Sequence, residues 1–167
     1  NYPEAFKMRI AAFVVLTLFI LPTVQASSES SSWTHEFESG YITTKPLFVG
    51  DDVFVRTSGF WTGDDRPVVA AFDVETGDEI WTYTSQTSLQ IDMSPLLFVN
   101  NGVGDCGQWS DLLIVGWADG KITAHSPTNG SVIWENQTEV DVIGISGKMV
   151  LDEDRVIVPS RTGISSF

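Results

Sequence analysis

From residue 33 onward, short apolar runs of five or six residues alternate with clusters of Gly, Asp, Asn, Thr and Pro. The runs are rich in Val, Ile, Phe, Trp and Thr, and no ten-residue stretch after Ala26 keeps a helical period. This is the pattern of β-strands joined by tight turns. In the clearest stretch it predicts strands near Leu47, over Val53–Arg56, over Val68–Val74 and over Glu79–Thr84. The last two meet through Glu75-Thr76-Gly77-Asp78, where Gly77 takes a positive φ without steric cost. The fold class expected is all-β, built from four-stranded antiparallel meanders.

The meander repeats. Ala71 to Trp81 reads A-F-D-V-E-T-G-D-E-I-W and Ala124 to Trp134 reads A-H-S-P-T-N-G-S-V-I-W. Trp33, Trp81 and Trp134 recur at a spacing near fifty, which suits a four-stranded propeller blade better than a helical solenoid. Lys45-Pro46-Leu47-Phe48-Val49 is echoed by Ser94-Pro95-Leu96-Leu97-Phe98-Val99, with Ile145 to Leu151 in the same place of a third copy. The runs opening at Asp52, Asp111 and Asp154 are followed by glycine at 59, 120 and 163. A shift of 43 carries Asp111, Val115 and Gly120 onto Asp154, Val158 and Gly163 without a gap. The expected units are 33–81, 82–134 and 135–167, the third one truncated, so the chain reads as a fragment of a longer ring.

Each motif residue has a physical reason. Asp73 or Ser126 folds onto nearby amides to fix the hairpin, Ala71 or Ala124 lets the next sheet come close, and Gly77 or Gly130 makes the turn. Trp81 and Trp134 then cover the seams between sheets. Burying about 200 Å² of indole contributes at most about 5 kcal/mol per seam. A lone blade buries one face only, and stacking blades in a closed ring solves that.

The pattern A-x-D-x-x-T-G-x-x-x-W at Ala71, Asp73, Thr76, Gly77 and Trp81, with its weaker copy at Ala124, Gly130 and Trp134, resembles the pyrroloquinoline-quinone-type (quinoprotein-like) β-propeller repeat. In the second copy Ser126 replaces the aspartate and Asn129 the threonine, so a differently built turn is expected there. WD40 units, similar in length, normally end in Trp-Asp, whereas Trp81 precedes threonine and Trp134 precedes glutamate. The resemblance implies blades in which each tryptophan docks on the adjoining blade near the motif glycine. Quinone-dependent dehydrogenases of this family use a catalytic aspartate, calcium held by acidic and amide side chains, and often two adjacent cysteines. Cys106 is the chain's one cysteine, so that pair is absent.

The first 26 residues read differently. Ile10 to Leu21 is a charge-free apolar run preceded by Lys7 and Arg9. Twelve helical residues reach roughly 18 Å, short of the ~30 Å core of a bilayer, so the segment reads as a signal-peptide helix rather than a span. Cleavage is expected after Ala26, with Met8 as the start and residues 1–7 as upstream read-through; an uncleaved signal anchor is the alternative. The mature stretch is then 27–167, in a secreted, periplasmic or cell-surface location, with no stable membrane span.

Composition narrows the partners. The chain carries 22 acidic and 9 basic residues, a net charge of -13, and 43% hydrophobic residues. Such a surface repels nucleic acid, and the apolar content excludes a disordered chain. A protein or carbohydrate partner stays open.

Chemistry is sparse. His35 and His125 lie 90 residues apart, in no metal-ligand spacing, and no nucleophile triad or phosphate loop is present. Catalytic residues are therefore expected to be none. The acidic pairs Asp51-Asp52, Asp64-Asp65 and Asp152-Glu153 fall at expected turns. Two insertions stand out, 59–67 and 100–110. Trp61 and Trp109 within them are candidate ligand contacts, and Asn100, Asp105 and Asp111 are weak calcium candidates. Asn129 and Asn136 open N-glycosylation sequons. The sequence thus favours an exported, non-catalytic binding or assembly scaffold with no cofactor in this stretch. The alternative is a PQQ- and calcium-dependent alcohol or sugar dehydrogenase whose cofactor residues lie in other blades; a carbohydrate- or peptide-acting enzyme ranks last.

Overall fold

The computed structural model describes residues 32–59, 65–91, 93–105, 107–138 and 143–167. The signal segment, Trp61 and Cys106 lie outside the described residues. The described residues hold thirteen strands and no helix. The first sheet joins β1 (Leu47–Val49), β2 (Asp52–Arg56), β3 (Val68–Asp73) and β4 (Glu79–Thr84) in that spatial order. The second joins β5 (Leu97–Val99), β8 (Leu112–Gly116), β9 (Lys121–His125) and β10 (Val132–Gln137) as a like meander. Between β5 and β8 a separate hairpin, β6 (Gly102–Gly104) with β7 (Gly107–Trp109), branches off. The third sheet has β11 (Val150–Asp152), β12 (Arg155–Pro159) and β13 (Ile164–Ser166). Every pairing is antiparallel. These are the expected four-stranded blades, the third showing three strands.

Alternation along the strands divides each sheet into two apolar faces, because successive side chains point to opposite sides. Phe54, Val69, Ala71 and Trp81 of the first blade pack against Met93, Leu96, Leu113, Val115 and Trp117 of the second. Val99, Leu112, Ile114, Ile122 and Ala124 face Ile145, Met149, Val156 and Val158 toward the third blade. Val53, Ala70 and Phe72 form the remaining face of the first blade, covered by Trp33 and Phe37.

Strand β3 stops at Asp73, one residue before the sequence expectation. The Asp73 carboxylate accepts hydrogen bonds from the amides of Glu75 and Thr76, at 2.9 and 2.7 Å, and turns the chain there. Those bonds hold its carboxyl below the ordinary range, the Thr76 amide most and the Thr76 hydroxyl next, although burial works the other way. In the second blade the backbone turn is the same: the amide of Gly130 donates to Ser126 O, as that of Gly77 donates to Asp73 O. Its side-chain anchoring differs as the sequence suggested, with Asn129 Oδ1 accepting from the Ser131 amide.

Candidate functional site

The motif residues converge at the seams. The indole N–H of Trp81 donates to Pro127 O at 2.7 Å, and its ring lies where a side chain on Gly130 would stand, 2.5 Å from an ideal Cβ. Trp33 repeats this one blade earlier: its indole N–H donates to Val74 O at 2.9 Å, and its ring comes within 2.5 Å of a Cβ built on Gly77. Both glycines have positive φ, +77° at Gly77 and +70° at Gly130. Glycine is thus required twice over, for the left-handed backbone and for the close approach of an indole.

The two seams match in detail. Trp33 stacks on Phe72 at 6.2 Å, and His35 meets the same ring at 4.5 Å. In the next seam Trp81 stacks on His125 at 6.4 Å, and Tyr83 meets it edge-on at 4.6 Å. Residues 33–35 therefore stand to the first blade as residues 81–83 of its outer strand stand to the second.

A polar network threads the seam between the first two blades. Arg56, fully buried at the end of β2, donates through Nη1 to Ser94 O and Gly116 O, both at 2.8 Å, and Nη2 contacts Met93 Sδ at 2.9 Å. Its guanidinium lies over the Trp117 ring, 5.3 Å from the centroid. Burial pulls the guanidinium down to about 9, so it keeps its charge at neutral pH. Arg56 Nε and Ser94 Oγ are the buried side-chain atoms left unpaired among the described residues. Trp117 in turn donates its indole N–H to Thr123 Oγ1 at 2.7 Å, which sits 2.7 Å from His125 Nε2; His125 Nδ1 lies 2.8 Å from Gly130 O.

Arg56 and His125 were not singled out as site residues by the pattern, yet the repeats carry a signal for both. Registering the blades by their strand pairs puts Arg56 at the position of Gly116 and Pro159. His125 stands where Phe72 stands, each following the motif alanine. A charged or titratable side chain where a sister repeat has a small or apolar one marks a local task.

The remaining candidates scatter. Asp111 Oδ1 accepts from both nitrogens of Asn101, the Asn100 carbonyl accepts from the Trp109 indole, and the Asp105 amide donates across to Asp154. The second insertion thus holds the β6–β7 hairpin, leaning on the third blade, with Asn100 and Asp111 at its base and Asp105 near its tip. Among the described residues no group of three or more His, Cys, Asp or Glu gathers to hold a metal. Asn129 is exposed but engaged in its turn. Asn136, also exposed, borders a cavity of about 410 Å³ together with Trp109, Trp134, Leu151, Asp154 and Phe167. A second cavity, of about 590 Å³, is bordered by Glu36, Glu38, Asp65 and Glu79, with Arg66 and His35 beside them.

Pyrroloquinoline quinone is a flat tricarboxylate and asks for cations and donors. The second cavity is rich in carboxylates, the first is mostly apolar with Glu135 and Asp154 as its charged groups, Arg56 is occupied inside a seam, and Lys121 and Arg155 are drawn to Glu135 and Asp152. Neither cavity gathers the cations that such a ligand asks for.

Comparison with known proteins agrees with the geometry. The family model described as outer membrane protein assembly factor BamB matches residues 21–165. The chain belongs to this family. It is a PQQ-type β-propeller repeat protein. A quinohemoprotein alcohol dehydrogenase of Comamonas testosteroni is 27% identical over 135 residues, covering 78% of this chain and 18% of the relative. The quinohemoprotein alcohol dehydrogenase ADH IIB of Pseudomonas putida is 33% identical over 94 residues, 56% of this chain and 12% of the relative. The crystal structure of BamB from Moraxella catarrhalis superposes with a TM-score of 0.53 at 22% identity, covering 73% of this chain and 35% of that one. The chain spans less than a fifth of the length of the curated relatives it matches. No helix of the described residues is long and apolar enough to cross a membrane.

Proposed function

We propose that this chain forms part of an exported β-propeller that works as a binding scaffold for other proteins, without catalysis by residues 32–167. The observation that carries the reading is where the polar side chains go. Arg56 bonds across to the second blade, and Trp117, Thr123 and His125 bond to one another and to Gly130 within it, so these side chains are engaged in the fold rather than turned to a substrate. The cavity bordered by Glu36, Glu38, Asp65 and Glu79 suits a cationic protein surface better than an anionic cofactor. The family description, an outer membrane assembly factor, supports export and a protein partner.

The ring is proposed to close through blades outside residues 33–167. Among the described residues Trp134 borders its cavity without a hairpin glycine of the kind that Trp33 and Trp81 each meet, which leaves that seam open to a further blade.

A second reading has its own support in the identity to two quinohemoprotein alcohol dehydrogenases. On that reading the quinone and calcium are held by residues outside the described stretch. Equilibrium dialysis of the full-length protein with pyrroloquinoline quinone and Ca²⁺ separates the two. The scaffold reading expects no saturable quinone binding and no dye-linked alcohol oxidation; saturable binding with turnover overturns it.

A further inference from the structure

We propose that His125 is an acid-sensitive catch on the seam between the first two blades, closed while its ring is neutral and released when the ring gains a proton. The hydrogen-bond roles leave one closed arrangement. An indole N–H only donates, so Thr123 Oγ1 accepts from Trp117 and turns its own proton to the acceptor 2.7 Å away, His125 Nε2. The other ring nitrogen then carries the hydrogen and donates to Gly130 O, which only accepts. The chain runs one way, from Trp117 through Thr123 and His125 to Gly130, and is complete only for the neutral Nδ1–H tautomer.

Protonation puts a hydrogen on Nε2. Thr123 Oγ1 then faces two N–H donors and loses the acceptor of its own proton. The new charge also lies in a fully buried ring. The groups facing it do not compensate. β4 brings Trp81 and Tyr83, β8 brings Leu113 and β10 brings Val132 opposite it in the pairing, and at the Trp117 end of the hydrogen-bonded chain stands Arg56, another cation. Among the described residues no carboxylate bonds or ion-pairs to His125.

The direction of the response follows from burial, which lowers the affinity of His125 for a proton although the Gly130 carbonyl partly opposes this. The unfolded or opened histidine takes its proton at about pH 6.5, before the closed one does. Stability from the catch is therefore full above about pH 6.5 and declines as pH falls from there to the lowered folded value. His125 bonds the carbonyl of the glycine on which Trp81 rests, so the loss is expressed where the two blades meet.

Hydrogen exchange of the Trp81 indole N–H in the full-length protein, followed from pH 8 to pH 5, tests this directly. After correction for intrinsic exchange, opening should rise on acidification by up to tenfold for every unit by which closed His125 titrates below the free value. His125→Phe, which copies Phe72 of the sister blade, should abolish that rise. The same rise in His125→Phe and native protein overturns the proposal. An independent readout on the native chain is the ¹⁵N spectrum of the imidazole. A neutral Nδ1–H tautomer titrating below pH 6.5 supports the catch, and an Nε2–H tautomer or an unshifted midpoint overturns it even if the variant does not fold.

Discussion

The guanidinium of Arg56, carried by the first blade, lies in the seam with its carbon 5.3 Å from the ring centroid of Trp117 in the second. A buried cation without a carboxylate is held here by two carbonyls, a thioether and an indole face. Each of these favours the charge, and together they offset part of the desolvation penalty.

Arg56→Ala leaves Ser94 O and Gly116 O without this donor and opens a void beside Trp117. It should cost about 3 kcal/mol in chemical denaturation. Arg56→Met keeps most of the volume and removes the buried charge, so its cost should be smaller, about 1 kcal/mol. Equal losses for the two would mean that the donors, not the packing, hold this end of the seam.

Gly50 and Gly130 separate backbone strain from seam packing. Both have positive φ, but a Cβ at Gly50 meets nothing within 4 Å, whereas one at Gly130 meets the Trp81 ring. Gly50→Ala should cost about 1 kcal/mol from the backbone alone. Gly130→Ala should cost about 3 kcal/mol and shift tryptophan emission to the red as Trp81 is displaced. Thermal melts with fluorescence detection check both.

Two carboxyls near the first hairpin should respond to pH with opposite sign. Asp73 is held low by its turn bonds, so its contribution is present above the unfolded value of about 3.9 and is lost as pH falls through the lower folded value. Asp52 is pushed up by burial and then by Asp51 and Asp73, so its ionisation costs stability once pH rises past that window. Asp73→Ala should lower the melting temperature at pH 7 and make it less sensitive to acid, and Asp52→Asn should raise it. Melting temperatures between pH 2 and pH 7 give both signs.

The blades were legible because their information is local. Trp81, Gly77 and Asp73 lie within nine residues and recur at 124–134, and alternation in Val53–Arg56 or Val68–Asp73 fixes which residues face a neighbour. The seam network was not legible because its partners come from distant turns, as when Arg56 bonds to carbonyls 38 and 60 residues away. Strand pattern says which face Arg56 occupies, not which carbonyls wait there. The hairpin of β6 and β7 was not legible for another reason: Gly102, Gly104 and Gly107 carry no strand signal of their own, and it is Trp109, packed over Gly102, that accompanies the pairing. Trp61 and Cys106 lie outside the described residues.

The seat of one blade's indole on the next blade's turn is tested most directly by a double-mutant cycle between Trp81 and Gly130, measured by denaturant unfolding of the full-length protein. Trp81→Ala alone should cost about 4 kcal/mol. Adding Gly130→Ala to it should then cost only the backbone strain, about 1 kcal/mol, because the ring that would clash is gone. Strictly additive losses would mean that Trp81 and Gly130 do not touch, and that the blades are not joined in this way.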